Sequence, residues 1–200
     1  MSKVKQKQQS RRAEIIVAAT KLMDTASFAE ISVNQICEAA GISIGTFYHY
    51  FQKKSDILAG LLLLADEDLA QNVLETLRPG QERENLMKVA LGFSAYVQRA
   101  GMERTALSTS VTLSDVGLDG EKRLMNRTVE EIFARGQADG SFTEAYSSEE
   151  LASFSLVVMR GVVADWARRG NPYDLSRRME DVVGLFLAGV CAGGQGLQKQ

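Results

Sequence analysis

The sequence predicts an all-α protein of about nine helices, and three observations support this prediction. Apolar residues recur at the three- and four-residue spacing of an amphipathic helix along most of the 200-residue chain. Period-two alternation, which marks a half-buried strand, is not sustained in any segment. Glycine-containing breaks such as "AGM", "ADG" and "RGNP" separate the periodic segments. We therefore expect a small N-terminal three-helix domain followed by a larger helical domain.

The first helix is predicted over residues 11–26, where apolar side chains form one stripe. The next helix lies within "SVNQICEAAG". Ser32 and Gln35 have the spacing of a capping box, in which each side chain accepts a hydrogen bond from the other residue's backbone N–H. Gly41 ends this helix, because a left-handed cap position favours glycine.

A third short helix is predicted from Ser43 to about residue 51, across the junction "AAGIS". Two short helices joined by a glycine-containing turn have the proportions of a helix-turn-helix, whose second helix enters the major groove of DNA. Gly45 within this helix suggests that something approaches closely, and either a nucleic-acid backbone or the preceding helix fits that suggestion.

The stretch "TFYHYF" on the third helix crowds four aromatic rings and the only histidine into six residues. Phe47 and Phe51 lie four residues apart, share a face and are predicted to be core. The other side chains have hydrogen-bonding tips that suit phosphate oxygens and base edges: Thr46, Tyr48, His49 and Tyr50. Partial burial of the two tyrosines is the open alternative.

Further helices are predicted over 54–77, 82–99, 103–113, 120–138, 148–168 and 174–191. We place the boundary between the two domains after residue 53, which gives 1–53 and 54–200. Between Phe154 and Val163 the eighth helix is apolar nearly all round, so we expect it to be buried on several sides. The ninth carries a wide apolar stripe of Met179, Val182, Val183, Phe186, Leu187 and Val190.

Composition excludes several classes of protein. Apolar residues make up 45% of the chain and charged residues 24%, as in ordinary globular proteins. Cys37, Cys191 and the lone His49 provide neither a disulfide framework nor a metal site, so we expect no metal, no cofactor and a reducing, cytoplasmic location. No apolar stretch reaches the roughly 20 residues of a membrane-spanning helix. Nucleophile and phosphate-cradle signatures are missing as well, which argues against an enzyme.

The charge distribution favours a polyanionic partner. Residues 1–60 carry eight Lys/Arg and five Asp/Glu, whereas the rest of the chain carries fifteen and twenty. A basic N-terminal third can attract a polyanion, although unevenly charged solvated faces remain an alternative. The basic segment "SKVKQKQQSRR" is expected to be a disordered tail or a minor-groove arm.

Residues 13–58 closely resemble the DNA-binding domain of the TetR family of bacterial transcriptional regulators. The resemblance is carried by "ISVNQICEAAGIS", by "GTFYHYF" and by the "KK" before "SDIL". It implies a repressor that binds a partly palindromic double-stranded operator. The implied DNA contacts are Ser32, Ser43, Ile44, Thr46, Tyr48, His49 and Tyr50, with Lys54 on a phosphate. Ile44 departs from the polar or basic residue common there, and it packs on a thymine methyl or makes no base contact.

The resemblance also implies a homodimer through the last two helices, with a small, largely apolar effector bound in the C-terminal domain. Gly161, Gly184 and Gly189 would permit close helix approach at the dimer interface, and intrachain packing is the alternative. Effector binding is expected to displace the fourth helix and change the separation of the two recognition helices. A regulator controlled by a protein partner, or a constitutive one, is the alternative.

The expected ligand-binding residues are bulky side chains of the C-terminal domain: Phe93, Tyr96, Met125, Phe133 and Trp166. Bulky side chains at helical spacing are more often core than pocket lining, and core packing is the open alternative for each of these residues. Arg160 and Asp165 are candidates to orient a polar group of the ligand. The Ser-, Thr- and Gly-rich segment 101–120 is the expected mobile element.

Overall fold

A computed structural model of the protein describes residues 3–109 and 123–191. Within these ranges the chain forms nine α-helices: α1 Lys3–Leu22, α2 Val33–Ala40, α3 Ile44–Tyr50, α4 Leu58–Asn72, α5 Glu82–Ala100, α6 Met102–Thr109, α7 Leu124–Ala138, α8 Ser148–Arg168 and α9 Leu175–Val190. Short 3₁₀ turns at Lys54–Ile57 and Leu74–Thr76 flank α4. The described residues include no β-strand, only an isolated bridge between Phe142 and Cys191. The all-α prediction is confirmed.

The described residues divide into two compact units, residues 3–64 and residues 65–109 with 123–191. This division falls inside α4, beyond the functional boundary that the sequence predicts after residue 53. The expected helices over 103–113 and 120–138 correspond to α6 and α7, and the expected mobile segment 101–120 lies mostly outside the described residues.

The basic N-terminal segment is helical, which corrects the expectation of a tail. Helix α1 begins at Lys3, so residues 3–10 form its first turns. The segment "KVKQKQQSRR" has neither glycine nor proline, and Lys, Gln and Arg are strong helix formers. Nothing in its local sequence therefore stops α1 from extending towards the N-terminus.

The helix-turn-helix has the capping pattern that the sequence predicts. Ser32 Oγ accepts from the backbone N–H of Gln35 at 3.2 Å, and Gln35 Oε1 accepts from the backbone N–H of Ser32 at 2.8 Å. Gly41 ends α2 with φ of 61°, in the left-handed region that favours glycine. Ser43 Oγ accepts from the N–H of Thr46 at 3.1 Å and begins α3.

The core of the smaller unit is formed by fully or nearly fully buried apolar side chains: Ile15, Ile16, Ala19, Phe28, Ile31, Ile36, Phe47, Phe51 and Ile57. Helix α4 approaches α1 closely at Gly60. A Cβ atom added there would lie 2.5 Å from the Ile16 side chain, so no other residue fits without a shift. The α1–α4 packing therefore depends on a glycine at position 60.

The core of the larger unit is one continuous apolar cluster built from α5, α7, α8 and α9, together with Leu69 near the end of α4. Leu187 of α9 is only 1% exposed and belongs to this cluster, whereas Leu185 is 76% exposed. Leu187 belongs to the wide apolar stripe that the sequence predicts for this helix, and an interface position for it between subunits would be wrong because it packs inside the chain. The face of α9 that packs inside the chain is the one that carries Met179, Val183, Leu187 and Val190.

Candidate nucleic-acid interface and candidate effector site

The recognition helix α3 presents polar and apolar tips on one side and a buried ring on the other. Phe47 is fully buried, while Ile44 is 48% and Tyr48 54% exposed. Ser32, Ser43 and His49 are also exposed, whereas Thr46 and Tyr50 are half-buried. Phe47 and Tyr48 meet edge to face at 5.3 Å between ring centroids, as do His49 and Tyr50 at 5.0 Å. Ring contacts therefore orient Tyr48 and the His49–Tyr50 pair on α3.

Gly45 lies on this exposed side and does not pack against the preceding helix. A Cβ atom added at Gly45 would meet only Ser43 Oγ, at 3.8 Å. Of the two explanations that the sequence left open for this glycine, close packing against the preceding helix is wrong. A glycine inside a helix costs about 1 kcal/mol relative to alanine, and at position 45 it leaves open space beside the helix.

The two serines implied as DNA contacts both act as helix caps. Ser32 Oγ donates to Gln35 Oε1 at 2.9 Å in addition to its cap bond. Ser43 Oγ lies 2.9 Å from Thr46 Oγ1. Each hydroxyl is exposed, so the cap fixes its position at the surface of the helix-turn-helix.

Lys54 holds the turn that leads into α2. Its ammonium donates to the backbone carbonyls of Phe28 at 2.6 Å, Ile31 at 2.8 Å and Ala29 at 3.2 Å. It also lies over the Phe28 ring, 4.6 Å from the centroid. These three carbonyls together accept from all three N–H donors of the lysine ammonium. The neighbouring Lys53 is exposed.

The residues expected to bind an effector have different surroundings. Phe133 is fully buried and packs against the rings of Phe142 and Phe186, at centroid distances of 4.9 and 6.3 Å. Trp166 is 4% exposed, and its Nε1 donates to Asn171 Oδ1 at 2.7 Å. Both therefore serve the core of the larger unit.

The remaining expected effector residues are closer to the surface or to charge. Met125 is 3% exposed, while Phe93 and Tyr96 are half-buried beside the apolar cluster. Burial, with the negative charge of Asp68, raises the pKa of the Tyr96 phenol to about 12. The phenol is therefore a hydrogen-bond donor at neutral pH.

A charged cluster lies at the N-terminal end of α7, and of its members only Arg160 is a candidate from the sequence. Arg123 Nε and Nη2 donate to the two oxygens of Asp66 at 3.1 Å each, and the backbone N–H of Met125 donates to Asp66 Oδ1 at 3.3 Å. Arg160 Nη2 donates to Asn126 Oδ1 at 3.0 Å. Burial lowers the pKa of Arg160, and the charge of Arg123 lowers it further.

A second ion pair, between the buried Glu82 and the exposed Arg135, lies at the start of α5. Glu82 is 2% exposed and accepts from Arg135 Nε at 3.0 Å and from Asn85 Nδ2 at 3.1 Å. Burial alone raises the pKa of Glu82, but the hydrogen bonds from Arg135 and Asn85 and the charge of Arg135 outweigh it and hold the pKa below its ordinary value. Arg135 also borders an open cleft of about 400 Å³ whose walls include Leu74, Leu77, Pro79 and Leu124.

Helices α8 and α9 leave apolar side chains uncovered in this chain. Phe154 is 43%, Val157 64% and Leu185 76% exposed. A Cβ atom at Gly161, Gly184 or Gly189 would meet nothing within 4 Å. We call this surface the α8–α9 face. The sequence pointed to these helices but not to the side of each that is uncovered.

The described residues contain no cluster of three or more His, Cys, Asp or Glu side chains able to hold a metal ion. Within the same ranges, no helix is both long enough and apolar enough to cross a membrane.

Capped helices α2 and α3, with an exposed recognition face above a buried Phe47, define a helix-turn-helix protein of the DNA-binding class. Residues 15–61 match the family model described as "Bacterial regulatory proteins, tetR family". These residues form a TetR-family DNA-binding domain, and the resemblance carried by residues 13–58 is confirmed.

Full-length relatives are similar to this chain over most of its length. The transcriptional repressor KstR of Mycolicibacterium smegmatis is 24% identical over 182 residues, which cover 90% of this chain and 88% of KstR. The transcriptional regulator EthR of Mycobacterium tuberculosis is 26% identical over 190 residues, covering 90% and 87%. The solved structure of the fatty acid degradation regulator FadR from Bacillus halodurans has a TM-score of 0.69 at 20% identity, covering 90% of this chain and 95% of FadR.

Proposed function

We propose that this chain is a ligand-responsive transcriptional repressor that binds a partly palindromic operator as a homodimer. A small, largely apolar molecule releases it from DNA. The observation that carries the proposal is the exposed face of α3, opposite the buried Phe47, within a TetR-family helix-turn-helix. Relatives such as KstR and EthR, which are transcriptional regulators, support the same class of function.

The proposed DNA contacts follow the exposed side of the helix-turn-helix. They are Ser32 and Ser43 on phosphates, and Ile44, Thr46, Tyr48, His49 and Tyr50 around the major-groove edge. The open space beside Gly45 supports close approach of the DNA backbone. Because the Lys54 ammonium already donates to three carbonyls, we propose Lys53 as an additional phosphate contact and give Lys54 a positioning role.

The proposed dimer forms through the α8–α9 face. Phe154, Val157 and Leu185 lie exposed there, and apolar side chains of this size gain about 1.5–3 kcal/mol each when fully buried. The three uncovered glycines would let the helices of a second copy approach closely. Two recognition helices could then reach successive major-groove sites about 34 Å apart.

The proposed effector acts through the larger unit and α4. A shift of α4 on effector binding would change the separation of the recognition helices and weaken both half-site contacts at once. By linkage, operator DNA must then weaken effector binding by the same factor. The structure of FadR from Bacillus subtilis in complex with stearoyl-CoA, with a TM-score of 0.66 at 19% identity, supports a search among small molecules with long apolar parts.

A second candidate is a DNA-binding regulator that no small molecule controls, and that is constitutive or controlled by a protein partner. The packing of Phe133 against Phe142 and Phe186 favours it, because these rings fill space that the sequence analysis assigned to an effector.

The decisive experiment is selection of bound fragments from a random duplex library by the purified full-length chain. We expect a partly palindromic consensus, and we expect affinity to fall by about 10³–10⁵ between about 50 and 200 mM salt if six to ten phosphates are contacted. Selection of no sequence would refute the proposal. If a consensus is selected, the genes beside its genomic sites would indicate candidate effectors for release assays.

A further inference from the structure

Among the described residues of the larger unit, the partly buried Arg160 lies beside a buried ion pair. Asp66 and Arg123 form a bidentate ion pair in which both partners are buried, with 9% and 8% exposure. Both oxygens of Asp66 accept from Arg123, and Oδ1 also accepts from the backbone of Met125. The carboxylate therefore accepts three hydrogen bonds, and none of them comes from Arg160.

Arg160 lies beside this pair with a neutral partner. Its Nη2 donates to the amide oxygen of Asn126, which is its one hydrogen-bond partner within the described ranges. Besides burial, the charge of Arg123 lowers the pKa of Arg160 and the smaller effect of Asp66 raises it, so this ion pair does not act as a net anion towards Arg160. A guanidinium has five N–H donors, and removing it from water is costly unless an anion accepts from it.

Residues that suit the rest of a ligand adjoin the same place. Met125 and Asn126 are consecutive on α7, and Arg123 acts electrostatically on Tyr96 as well as on Arg160. Met125 is a buried apolar side chain, and Tyr96 is a half-buried, protonated phenol. By contrast, Phe133 lies two turns further along α7, within packed rings.

We propose that Arg160 binds an acidic group of the effector, so that the effector is an amphipathic organic anion with its apolar part towards Tyr96 and Met125. This inference rests on the proposed function, because it assigns a ligand class to the effector site of the larger unit. Arg160 is a binding residue in this assignment, and Asn126 holds its guanidinium in position. Phenylalanine rings deeper in the core are not required.

A pair of fluorescent probes tests this charge preference on the full-length chain. 8-Anilinonaphthalene-1-sulfonate carries an acidic group, and N-phenyl-1-naphthylamine has the same rings without it. We expect Arg160→Gln to weaken binding of the sulfonate about tenfold or more, since hydrogen bonds to charged groups are the strong ones, and to change the neutral probe less than about twofold. Arg169→Gln is the matched control, because Arg169 follows α8 and its side chain is 64% exposed.

A second variant tests the idea without removing the arginine. Asn126→Asp places a carboxylate where the amide oxygen now lies, 3.0 Å from Arg160 Nη2. If Arg160 binds the acidic group of the effector, the new carboxylate should occupy its guanidinium. This variant should then have a higher melting temperature, bind the sulfonate about tenfold more weakly and bind the neutral probe with unchanged affinity.

The outcomes separate this inference from the proposed function. Equal sulfonate affinity in wild type, Arg160→Gln and Asn126→Asp would overturn the inference, and neutral-probe binding that also releases DNA would leave the proposed function intact. If neither probe binds the wild type, both the effector part of the proposed function and this inference are overturned. Loss of both probes on Arg160→Gln, with Asn126→Asp unchanged in both, would also overturn the inference.

Discussion

The Lys54→Met substitution separates a positioning role from a phosphate contact. The ammonium donates to three carbonyls, at 2.6, 2.8 and 3.2 Å, and lies over the Phe28 ring. Methionine keeps much of the aliphatic stem but has no donor. The turn between α1 and α2 would then lose its connection to the residues that precede α4.

The magnitude follows from these contacts. Hydrogen bonds to charged groups contribute about 1.5–3 kcal/mol each, and the half-buried location of Lys54 justifies a value near 1 kcal/mol for each of the two short bonds. The cation–π contact adds about 0.5–1 kcal/mol. The sum is about 3 kcal/mol, which corresponds to a fall of about 6–12 °C in melting temperature for a chain of this size.

The assay combines thermal unfolding with operator affinity measured over a range of salt concentrations. We expect Lys54→Met to lower the melting temperature and to weaken binding to all sequences, while the slope of log affinity against log salt stays unchanged. Lys53→Met, at the exposed neighbour, should leave stability unchanged and reduce the slope by about 1. An unchanged melting temperature for Lys54→Met, with a slope reduced by about 1, would refute the positioning role.

Three further predictions concern the dimer, the recognition helix and acid stability. Leu185→Glu should give folded monomers in sedimentation, because its side chain is 76% exposed, whereas Leu187→Glu should unfold the chain, because Leu187 is 1% exposed. His49→Ala should change the ranking of operator variants in a binding competition by about 1–3 kcal/mol at one position. In acid, the unfolding free energy of the wild type should fall as Glu82 is protonated, and Glu82→Gln should not show this fall.

The sign of the acid effect follows from the Glu82–Arg135 pair. Arg135 and Asn85 hold the folded-state pKa of Glu82 below its ordinary value of 4.5, so its stabilising contribution is complete above that pH and is lost as the pH falls through the folded-state pKa. Parallel stability curves for wild type and Glu82→Gln would contradict this.

A Leu185→Glu dimer of normal strength would place the interface elsewhere, and unaltered operator ranking in His49→Ala would remove His49 from base readout.

The sequence predicted the parts of the fold that depend on neighbouring residues along the chain. Ser32, Gln35, Gly41 and Ser43 form caps as expected, because capping needs only a short side chain or a glycine at a fixed offset from the helix. Burial of Phe47 beneath α3 followed from its four-residue spacing with Phe51 in the same way.

Features that depend on distant parts of the chain were not predicted from the sequence. Lys54 donates to carbonyls 23 to 26 residues away, which no local pattern encodes. On α9 the apolar stripe is wide, and the positions of α5 and α8 decide that Leu187 rather than Leu185 is covered. Arg160 was singled out as a candidate, but the pairing of Asp66 with Arg123 that leaves it a neutral partner required the tertiary structure.

The contact between Gly60 and Ile16 restricts how this chain can vary. Since a methyl group at position 60 would lie 2.5 Å from the isoleucine, alanine or serine there is tolerable only beside a smaller residue at position 16. In a library randomised at both positions and selected for folding, the residues found at positions 16 and 60 should be correlated. In a library randomised at position 60 alone, selection should return almost only glycine. The crossing of α1 and α4 is thus a source of epistasis, and homologous chains that lack glycine at the equivalent of position 60 should carry a compensating change on α1.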